Sequence, residues 1–327
     1  MELSVIIPCY KVAPYLAECL DSALALPPDR VEVLCVDDAS PDEAGRILAG
    51  YAARHTNLRV FTHQKNRGLS AARNTGLEHA SGAYVLFLDG DDSLYAERVL
   101  PLVSRARSDA LDILQMAYEC FRDGAGDPLP TPPAPHATGV MSGDACLARL
   151  CAAGRFEPMT VLRLYRRNFL ETHGLRMAEG LLFEDELFTA PAFLLAERAL
   201  VTGVPAYRYR RRAGSIMDGF RASARWCADY LTVVRVLIGR CEAKRPTPGQ
   251  RALRARAAAI GLSIPKNIVA YGLEGNARRE AVSFTRAHRR ELAALALRCG
   301  SPFLWIQGAL LGVSLPVFLG LYRLLRR

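Results

Sequence analysis

The sequence predicts an α/β fold in which a doubly wound, mostly parallel sheet is flanked by helices and followed by a helical carboxyl-terminal region. Short apolar runs that are typical of strands alternate with helical segments through the first third of the 327 residues. The runs at residues 31–36 and 84–88 are predominantly apolar, as in strands that helices cover on both faces. From residue 221 onward the pattern is mainly helical.

The elements of the first third follow one another in a regular order. We expect strands at residues 5–8, 31–36, 58–62 and 84–88, separated by helices at residues 15–26, 42–54 and 70–80. In a doubly wound sheet, ligands bind beyond the carboxyl ends of the strands. Three of the predicted strands end in segments that suit a ligand site, namely Pro8-Cys9-Tyr10, Asp37-Asp38 and Asp89-Gly90-Asp91-Asp92.

The charge is distributed unevenly along the chain. The net charge is +9, yet residues 1–200 carry 19 Lys and Arg against 27 Asp and Glu, whereas residues 201–327 carry 23 against 6. The basic part is either attracted to anionic lipid headgroups or nucleic acid, or it is a solvated basic face. Because no zinc finger, recognition helix or aromatic RNA motif accompanies the charge, we expect no nucleic-acid partner.

Cysteine usage and the amino terminus indicate the compartment. The nine cysteines include no C-x-x-C pair, and several lie in apolar strand patterns. We therefore expect most of them to be small core residues in a reducing compartment. The first strand is predicted within the first residues, with no signal peptide before it, so we expect this part of the chain to be cytoplasmic.

Residues 302–322 form an apolar run without a charged side chain. As a helix that rises about 1.5 Å per residue, the run is just long enough to cross a hydrocarbon core of about 30 Å. Gln307, Pro316 and three glycines weaken such a helix and leave a re-entrant or interfacial segment open. Trp305 and Tyr322 lie near the two ends, as interfacial aromatic residues do. We expect membrane association, and the alternative is a hairpin buried in the core.

Three carboxylates follow the predicted strand at residues 84–88, in Asp89-Gly90-Asp91-Asp92. Their mutual repulsion is costly unless a cation lies among them. Oxygen ligands suit Mg²⁺ or Mn²⁺, whose coordination is completed by water and by substrate phosphates. A calcium loop is excluded, because the twelfth position from Asp89 is Leu100 rather than a bidentate Glu. A solvated acidic turn is the alternative.

The usual glycine-rich phosphate motifs are missing from the sequence. The first strand ends without the G-x-G-x-x-G of dinucleotide-binding folds, and the phosphate loop G-x-x-x-x-G-K-[ST] does not occur. A bound cation would allow an acidic domain to hold a diphosphate. The sequence therefore favours nucleotide binding through carboxylates and a metal ion.

Four motifs follow one another in the first third of the chain. They are Ser4-Val5-Ile6-Ile7-Pro8-Cys9-Tyr10, Val36-Asp37-Asp38-Ala39-Ser40-Pro41-Asp42, Asn66-Arg67-Gly68-Leu69-Ser70-Ala71-Ala72-Arg73-Asn74 and Phe87-Leu88-Asp89-Gly90-Asp91-Asp92. Together they resemble the successive motifs of the family 2 glycosyltransferases with a GT-A fold. The order and spacing make the resemblance specific, and a weaker similarity continues to about residue 220.

The resemblance implies a nucleotide-sugar half over about residues 1–115. In this family the second acidic residue of the D-D-x-S motif holds the nucleotide base, and here that residue is Asp38. Pro8 and Tyr10 would flank the same pocket. Arg73 matches the arginine near the nucleotide.

The resemblance also assigns roles to the acidic turn and to a basic segment. Asp89 would face the ribose, and Asp91, together with Asp89 and Asp92, would hold Mg²⁺ or Mn²⁺. The metal would neutralise the charge that accumulates on the diphosphate leaving group in the transition state. In the basic segment, Arg210 or Arg212 would reach the diphosphate, with a simple basic loop as the alternative.

The acceptor half would occupy about residues 140–220 and contain the catalytic base, Asp185. An inverting transfer needs one carboxylate to remove the acceptor hydroxyl proton while that oxygen attacks the anomeric carbon. From the residues alone, Glu184-Asp185-Glu186 is equally an acidic helix start, since carboxylates favour a helix amino terminus.

These expectations divide the chain into a GT-A catalytic domain at residues 1–220, a basic helical region at 221–300 and an apolar membrane-associating segment with a basic end at 301–327. The expected function is an inverting, metal-dependent glycosyltransferase of the hexosyl type at the cytoplasmic face of the cell membrane. The donor would be a nucleotide diphosphate sugar, with UDP as the default, and the acceptor a saccharide or lipid-linked hydroxyl in surface polysaccharide or glycolipid assembly. The alternatives are a non-catalytic nucleotide-sugar-binding module and a metal-dependent nucleotidyltransferase.

Overall fold

A computed structural model describes residues 1–124, 127–131, 137–212, 224–241 and 245–325. The chain forms two compact units. The sheet unit consists of Met1–Cys146, Glu157–Gly180 and Glu184–Arg212. The helical unit consists of Leu147–Phe156, Leu181–Phe183 and Ala213–Arg327. The predicted boundary at residue 220 lies outside the described residues.

The elements of the first 88 residues alternate as the sequence predicts, with ends shifted by a residue or two. The strands described there, β1 to β9, are Leu3–Cys9, Val31–Asp37, Leu58–Thr62, Tyr84–Phe87, Ser93–Leu94, Ile113–Arg122, Pro128–Leu129, Arg163–Arg166 and Ala199–Arg211. Helices α1 to α7 are Ala13–Leu24, Ala44–Ala52, Leu69–Glu78, Ala96–Ser108, Gly143–Ala152, Arg167–Thr172 and Glu184–Leu195. Helix α5 begins in the sheet unit and ends in the helical unit.

The strands join in one mixed sheet of order β3-β2-β1-β4-β8-β6-β9-β5, with β7 paired to β6. Strand β1 is parallel to β2 and β4, and β2 is parallel to β3, which gives the predicted parallel half. Strand β8 lies between β4 and β6 and is antiparallel to both. The parallel arrangement therefore holds for the amino-terminal half of the sheet, and the other half is mixed.

The parallel half is covered by helices, which explains its apolar strands. Every residue of β1 and β2 is buried, and α3 packs on both strands while α2 packs on β3. The close approach of α3 requires Gly76, because a Cβ at this position would lie inside the van der Waals distance of the Ile6 side chain. This packing fixes α3, and with it Arg73, against the sheet.

The helical unit contains helices α8 to α12 among its described residues, at Ala224–Gly239, Pro248–Ala270, Gly275–Leu297, Pro302–Val313 and Leu315–Leu325. A capping box starts α9, since the Thr247 side chain accepts from the Gln250 N–H and the Gln250 side chain accepts from the Thr247 N–H. The core of the unit includes Leu262, Ile268 and Leu292.

The apolar run at residues 302–322 forms two short helices, α11 and α12, rather than one long helix. The chain leaves the helical conformation at Ser314, where φ is −157° and ψ is 122°. Leu311, Leu315 and Phe318 are buried in the core of the helical unit. Among the residues described, we find no helix that combines the length and the apolar character needed to cross a bilayer.

We predict that Gly76→Ala destabilises the protein although alanine is the better helix former. The new methyl group would overlap Ile6, and such overpacking costs about 1 to 3 kcal/mol of unfolding free energy. Gly50→Ala in α2 is the matched control: no atom lies within 4 Å of a Cβ there, so we expect a gain of up to about 1 kcal/mol. Urea unfolding of both variants measures the difference. Equal stability of the two variants would contradict the packing described for α3.

Candidate active site

The ends of β1, β2 and β4 place the predicted site residues at one edge of the sheet. Cys9 at the end of β1 is paired with Asp37 at the end of β2, and β4 ends on the other side of β1. Pro8 is buried within β1. Tyr10, directly after the strand, exposes 40% of its surface, and the Lys11 Nζ lies 5.3 Å from the centre of its ring. Tyr10 therefore presents an accessible aromatic ring at this edge.

Asp38 holds the loop that precedes α3. Its carboxylate accepts hydrogen bonds from the backbone N–H groups of Arg67 at 2.8 Å and Gly68 at 2.7 Å. The Nδ1 atom of His63 lies 2.6 Å from the same carboxylate, and the Nε2 atom lies 2.9 Å from the Thr75 hydroxyl. The side chain of Asp38 is buried. The structure thus gives Asp38 a role in shaping the loop, while its role in base binding stays a prediction.

Arg73 is the centre of the site and is only 1% exposed. Its Nη2 donates to Asp89 at 2.6 Å, and its Nη1 donates to Asp185 at 3.2 Å and to Glu184 at 3.3 Å. Burial lowers the pKa of Arg73, but the charges of Asp89, Asp185 and Glu184 raise it, and the net shift is upward. The guanidinium therefore stays charged and joins the end of β4 to the start of α7.

Asp185 lies in the first turn of α7, and its side chain is 24% exposed. The buried Thr160 hydroxyl donates to its Oδ1 atom at 2.5 Å, and Arg73 donates to the same oxygen. No residue in the described part of the chain donates to Oδ2. One oxygen is thus fixed by the protein, and the other has no hydrogen-bond donor among the described residues.

Glu184 is the buried neighbour of this group. Burial, followed by the charge of Asp185, raises the pKa of Glu184 to about 7, against the opposing effect of Arg73. The sequence pattern did not single out Glu184, because Glu184-Asp185-Glu186 also fits an ordinary acidic helix start. The carboxyl group is therefore partly protonated near neutral pH.

The three carboxylates of the acidic turn have different environments. Asp92 is 2% exposed; its Oδ1 accepts from the Arg210 N–H at 2.7 Å and its Oδ2 accepts from the Tyr207 hydroxyl at 2.6 Å. Asp91 accepts from the Arg212 Nε at 2.7 Å, and its side chain keeps 22% exposure. Burial and the neighbouring Asp89 raise the pKa of both residues. Asp92 is thus held within the protein, whereas the side chains of Asp91 and Asp89 are partly exposed.

Gly90 lies between Asp89 and Asp91 in the acidic turn. There is no room for a side chain at this position. A Cβ on Gly90 would lie 2.9 Å from the Val12 Cγ2 and 3.1 Å from the Pro8 carbonyl oxygen. The backbone of the turn therefore lies directly against the end of β1, which keeps Asp89 and Asp91 beside the other strand ends.

Arg210 contacts acidic residues of the protein, and its predicted contact with a diphosphate stays a prediction. It donates to the Asp91 carbonyl oxygen at 2.7 Å, to Asp123 at 3.1 Å and to Glu18, and it is 8% exposed. Arg212 is the neighbouring arginine that pairs with the side chain of Asp91. Residues 213–216 of the same predicted segment lie outside the described residues.

Few side chains at this edge are available as ligands for a metal ion. In the described ranges, no group of three or more His, Cys, Asp or Glu side chains is arranged to hold a metal ion. Mg²⁺ commonly uses only one or two carboxylates and takes its other ligands from substrate phosphates and water. Asp91 and Asp89, at 22% and 29% side-chain exposure, fit that smaller requirement.

The sequence of this chain matches the family model described as "Glycosyl transferase family 2" over residues 4–174. The chain is 34% identical over 219 residues to the uncharacterized glycosyltransferase EpsJ of Bacillus subtilis (strain 168), a match that covers 66% of this chain and 63% of that protein. The match thus spans less than two thirds of that relative's length. The chain belongs to glycosyl transferase family 2.

Two solved structures show the same fold. TarS 1–349 of S. aureus in complex with UDP-GlcNAc has a TM-score of 0.76 at 23% identity, with 99% of this chain and 92% of that chain covered. The mannosyltransferase PcManGT of Pyrobaculum calidifontis in complex with GDP-Man and Mn²⁺ has a TM-score of 0.57 at 17% identity, with 100% and 88% covered. The predicted GT-A fold is confirmed.

We predict that Glu184→Gln changes how stability depends on pH. The carboxyl titrates near 4.5 when unfolded and near 7 when folded, so between these values the folded state binds more protons. The unfolding free energy of the wild type therefore falls as the pH rises through this window, by an amount on the order of 3 kcal/mol. Glutamine cannot ionise and should remove this fall.

The measurement is chemical unfolding at pH values across this window. Glu78→Gln is the control, because Glu78 is exposed and should leave the pH dependence as in the wild type. If the wild type and Glu184→Gln differ by a constant amount at every pH, Glu184 does not titrate in this window.

Proposed function

We propose that this chain is an inverting glycosyltransferase that moves a sugar from a nucleoside diphosphate sugar to a hydroxyl of a saccharide or lipid-linked acceptor. The observation that carries the proposal is the placement of Arg73, which binds Asp89 at a strand end and Asp185 at the start of α7. Arg73 thus joins the proposed metal ligand and the proposed base. Family membership and the UDP-GlcNAc named for TarS support a nucleotide sugar as the donor, with UDP as the default.

In this mechanism Asp185 is the general base. Thr160 and Arg73 hold its Oδ1, and Oδ2 accepts the proton of the acceptor hydroxyl. The acceptor oxygen forms a bond to the anomeric carbon while the bond from that carbon to the diphosphate oxygen breaks, and the diphosphate leaves with the electron pair. Attack opposite the leaving group inverts the anomeric configuration.

Asp91 and Asp89 would hold Mg²⁺ or Mn²⁺ together with the phosphates of the donor. Asp92 is less suited to this role, because both of its oxygens already accept hydrogen bonds from the protein. Burial and the like charge of Asp89 raise the pKa of Asp91. A bound cation would offset the repulsion between these carboxylates. When bound, the ion supplies positive charge to the departing diphosphate.

We also propose that the helical unit brings the protein to the cytoplasmic face of a membrane, where surface polysaccharide or glycolipid is assembled. Large apolar side chains of α11 and α12 are exposed, among them Phe303 at 69%, Val313 at 78% and Leu325 at 75%. Exposed apolar residues on helices of a basic unit fit an interfacial location better than a span.

We predict metal-dependent release of a nucleoside diphosphate from one member of a panel of nucleotide sugars. Asp185→Asn should lower kcat by about 10²- to 10⁴-fold, because it removes the base. Asp91→Asn should remove the dependence on Mn²⁺ or Mg²⁺ together with most turnover. Asp29→Asn, at an exposed position, is the control for loss of one negative charge.

Product analysis separates the proposal from its alternatives. Release of pyrophosphate instead of a nucleoside diphosphate would identify nucleotidyl transfer and contradict the proposal. Wild-type turnover that is unchanged in EDTA would contradict the metal role of Asp91. The kcat of Asp185→Asn would still test the role of Asp185 as the base.

A further inference from the structure

A second candidate site lies in the helical unit, between α10 and α12. These helices border a cavity of about 260 Å³, well above the volume that one water needs. Three arginines line it: Arg278 and Arg286 from α10 and Arg323 from the last turn of α12. Exposed arginines from two helices thus line the same cavity.

The three arginines have no acidic partner within the described part of the chain. Elsewhere in the same unit, Arg235 forms an ion pair with Glu291 at 2.6 Å. With the residues that the structure describes, Arg278, Arg286 and Arg323 make no such ion pair or side-chain hydrogen bond. Like charges around one cavity repel each other, and an anion between them would remove that repulsion. Arginine is also the side chain that forms bidentate hydrogen bonds to phosphate oxygens.

The rest of the cavity lining is mainly apolar. Val282 of α10 and Leu315, Pro316 and Leu319 of α12 contribute to it. A free phosphate would gain nothing from these side chains, whereas an alkyl chain would bury apolar surface against them. The lining therefore fits an amphiphile with an anionic head.

We propose that this three-arginine cavity binds the phosphate head of an anionic membrane lipid, with the first carbons of the lipid chain against Pro316 and Leu319. The proposal deepens the membrane association proposed above and rests on it. The exposed apolar residues of the same helix, Leu324 at 68% and Leu325 at 75%, would enter the interface beside the bound head. Charge complementarity makes an anionic lipid surface the partner of this face.

The test is co-sedimentation of the full chain with phosphatidylcholine vesicles that contain or lack phosphatidylglycerol. The variant Arg278→Gln/Arg286→Gln/Arg323→Gln should lower binding to the anionic vesicles on the order of 100-fold, given the usual contribution of each basic residue near such a surface. The control is Arg240→Gln/Arg245→Gln/Arg290→Gln, which removes the same charge from exposed positions of the same unit. It should bind nearly as the wild type.

Three outcomes would overturn the proposal. They are equal losses for the two triple variants, wild-type binding that does not depend on phosphatidylglycerol, and cavity-dependent binding to single-stranded RNA as strong as that to anionic vesicles. Thermal unfolding of each variant checks that the fold is retained. Release of nucleoside diphosphate with a soluble acceptor should be unchanged in both triple variants, so that failure of the lipid site and failure of the transferase activity are distinguishable.

Discussion

The buried guanidinium of Arg73 is the interaction on which the site depends. It pairs with Asp89, which follows β4, and with Glu184 and Asp185, which begin α7. A buried charge without a partner costs several kcal/mol, so the arginine and the carboxylates stabilise the fold only as a group. Because α3 is fixed on β1 and β2, this group has one position relative to the strand ends. Residues more than 100 positions apart in the chain thereby form one site.

A second set of contacts holds the acidic turn from its other side. Tyr207 and the backbone of Arg210 bind both oxygens of Asp92, and Arg212 binds Asp91. Each of the three carboxylates in the turn therefore has its own donor. This arrangement lets like charges lie together before any ligand binds, at the cost of raised pKa values for Asp91 and Asp92.

Much of the sheet and part of the site follow from local sequence. Apolar runs and helical periods predicted the first four strands and the helices between them, and parallel pairing necessarily brings the ends of β1, β2 and β4 together. Local patterns could not predict that β8 would enter the sheet antiparallel, since that depends on long-range pairing. Hydropathy alone likewise could not locate the break at Ser314, although Pro316, two residues later, disfavours one continuous helix there.

The hydrogen bonds and backbone conformations that position the site residues could not be predicted from the sequence. Thr160 belongs to no motif, and only the fold brings its hydroxyl to Asp185. Arg210 fits a phosphate-binding pattern, yet its guanidinium binds Glu18, which is 192 positions away. Phe183, directly before α7, has a φ of 65°, a left-handed conformation that no pattern indicates for a bulky residue. Charge and spacing predicted which residues lie together at the site, but not which hydrogen bonds each of them makes.

A double-mutant cycle between Arg73 and Asp185, measured as unfolding free energy, tests whether Arg73 joins the two carboxyl-bearing segments. Arg73→Met, Asp185→Asn and the double variant would be compared with the wild type at neutral pH. Since the two side chains share one buried ion-paired group, we expect the double variant to lose less stability than the two single losses together, by about 0.5 to 3 kcal/mol. Strictly additive losses, with all variants folded, would show that Arg73 does not join the two carboxyl-bearing segments.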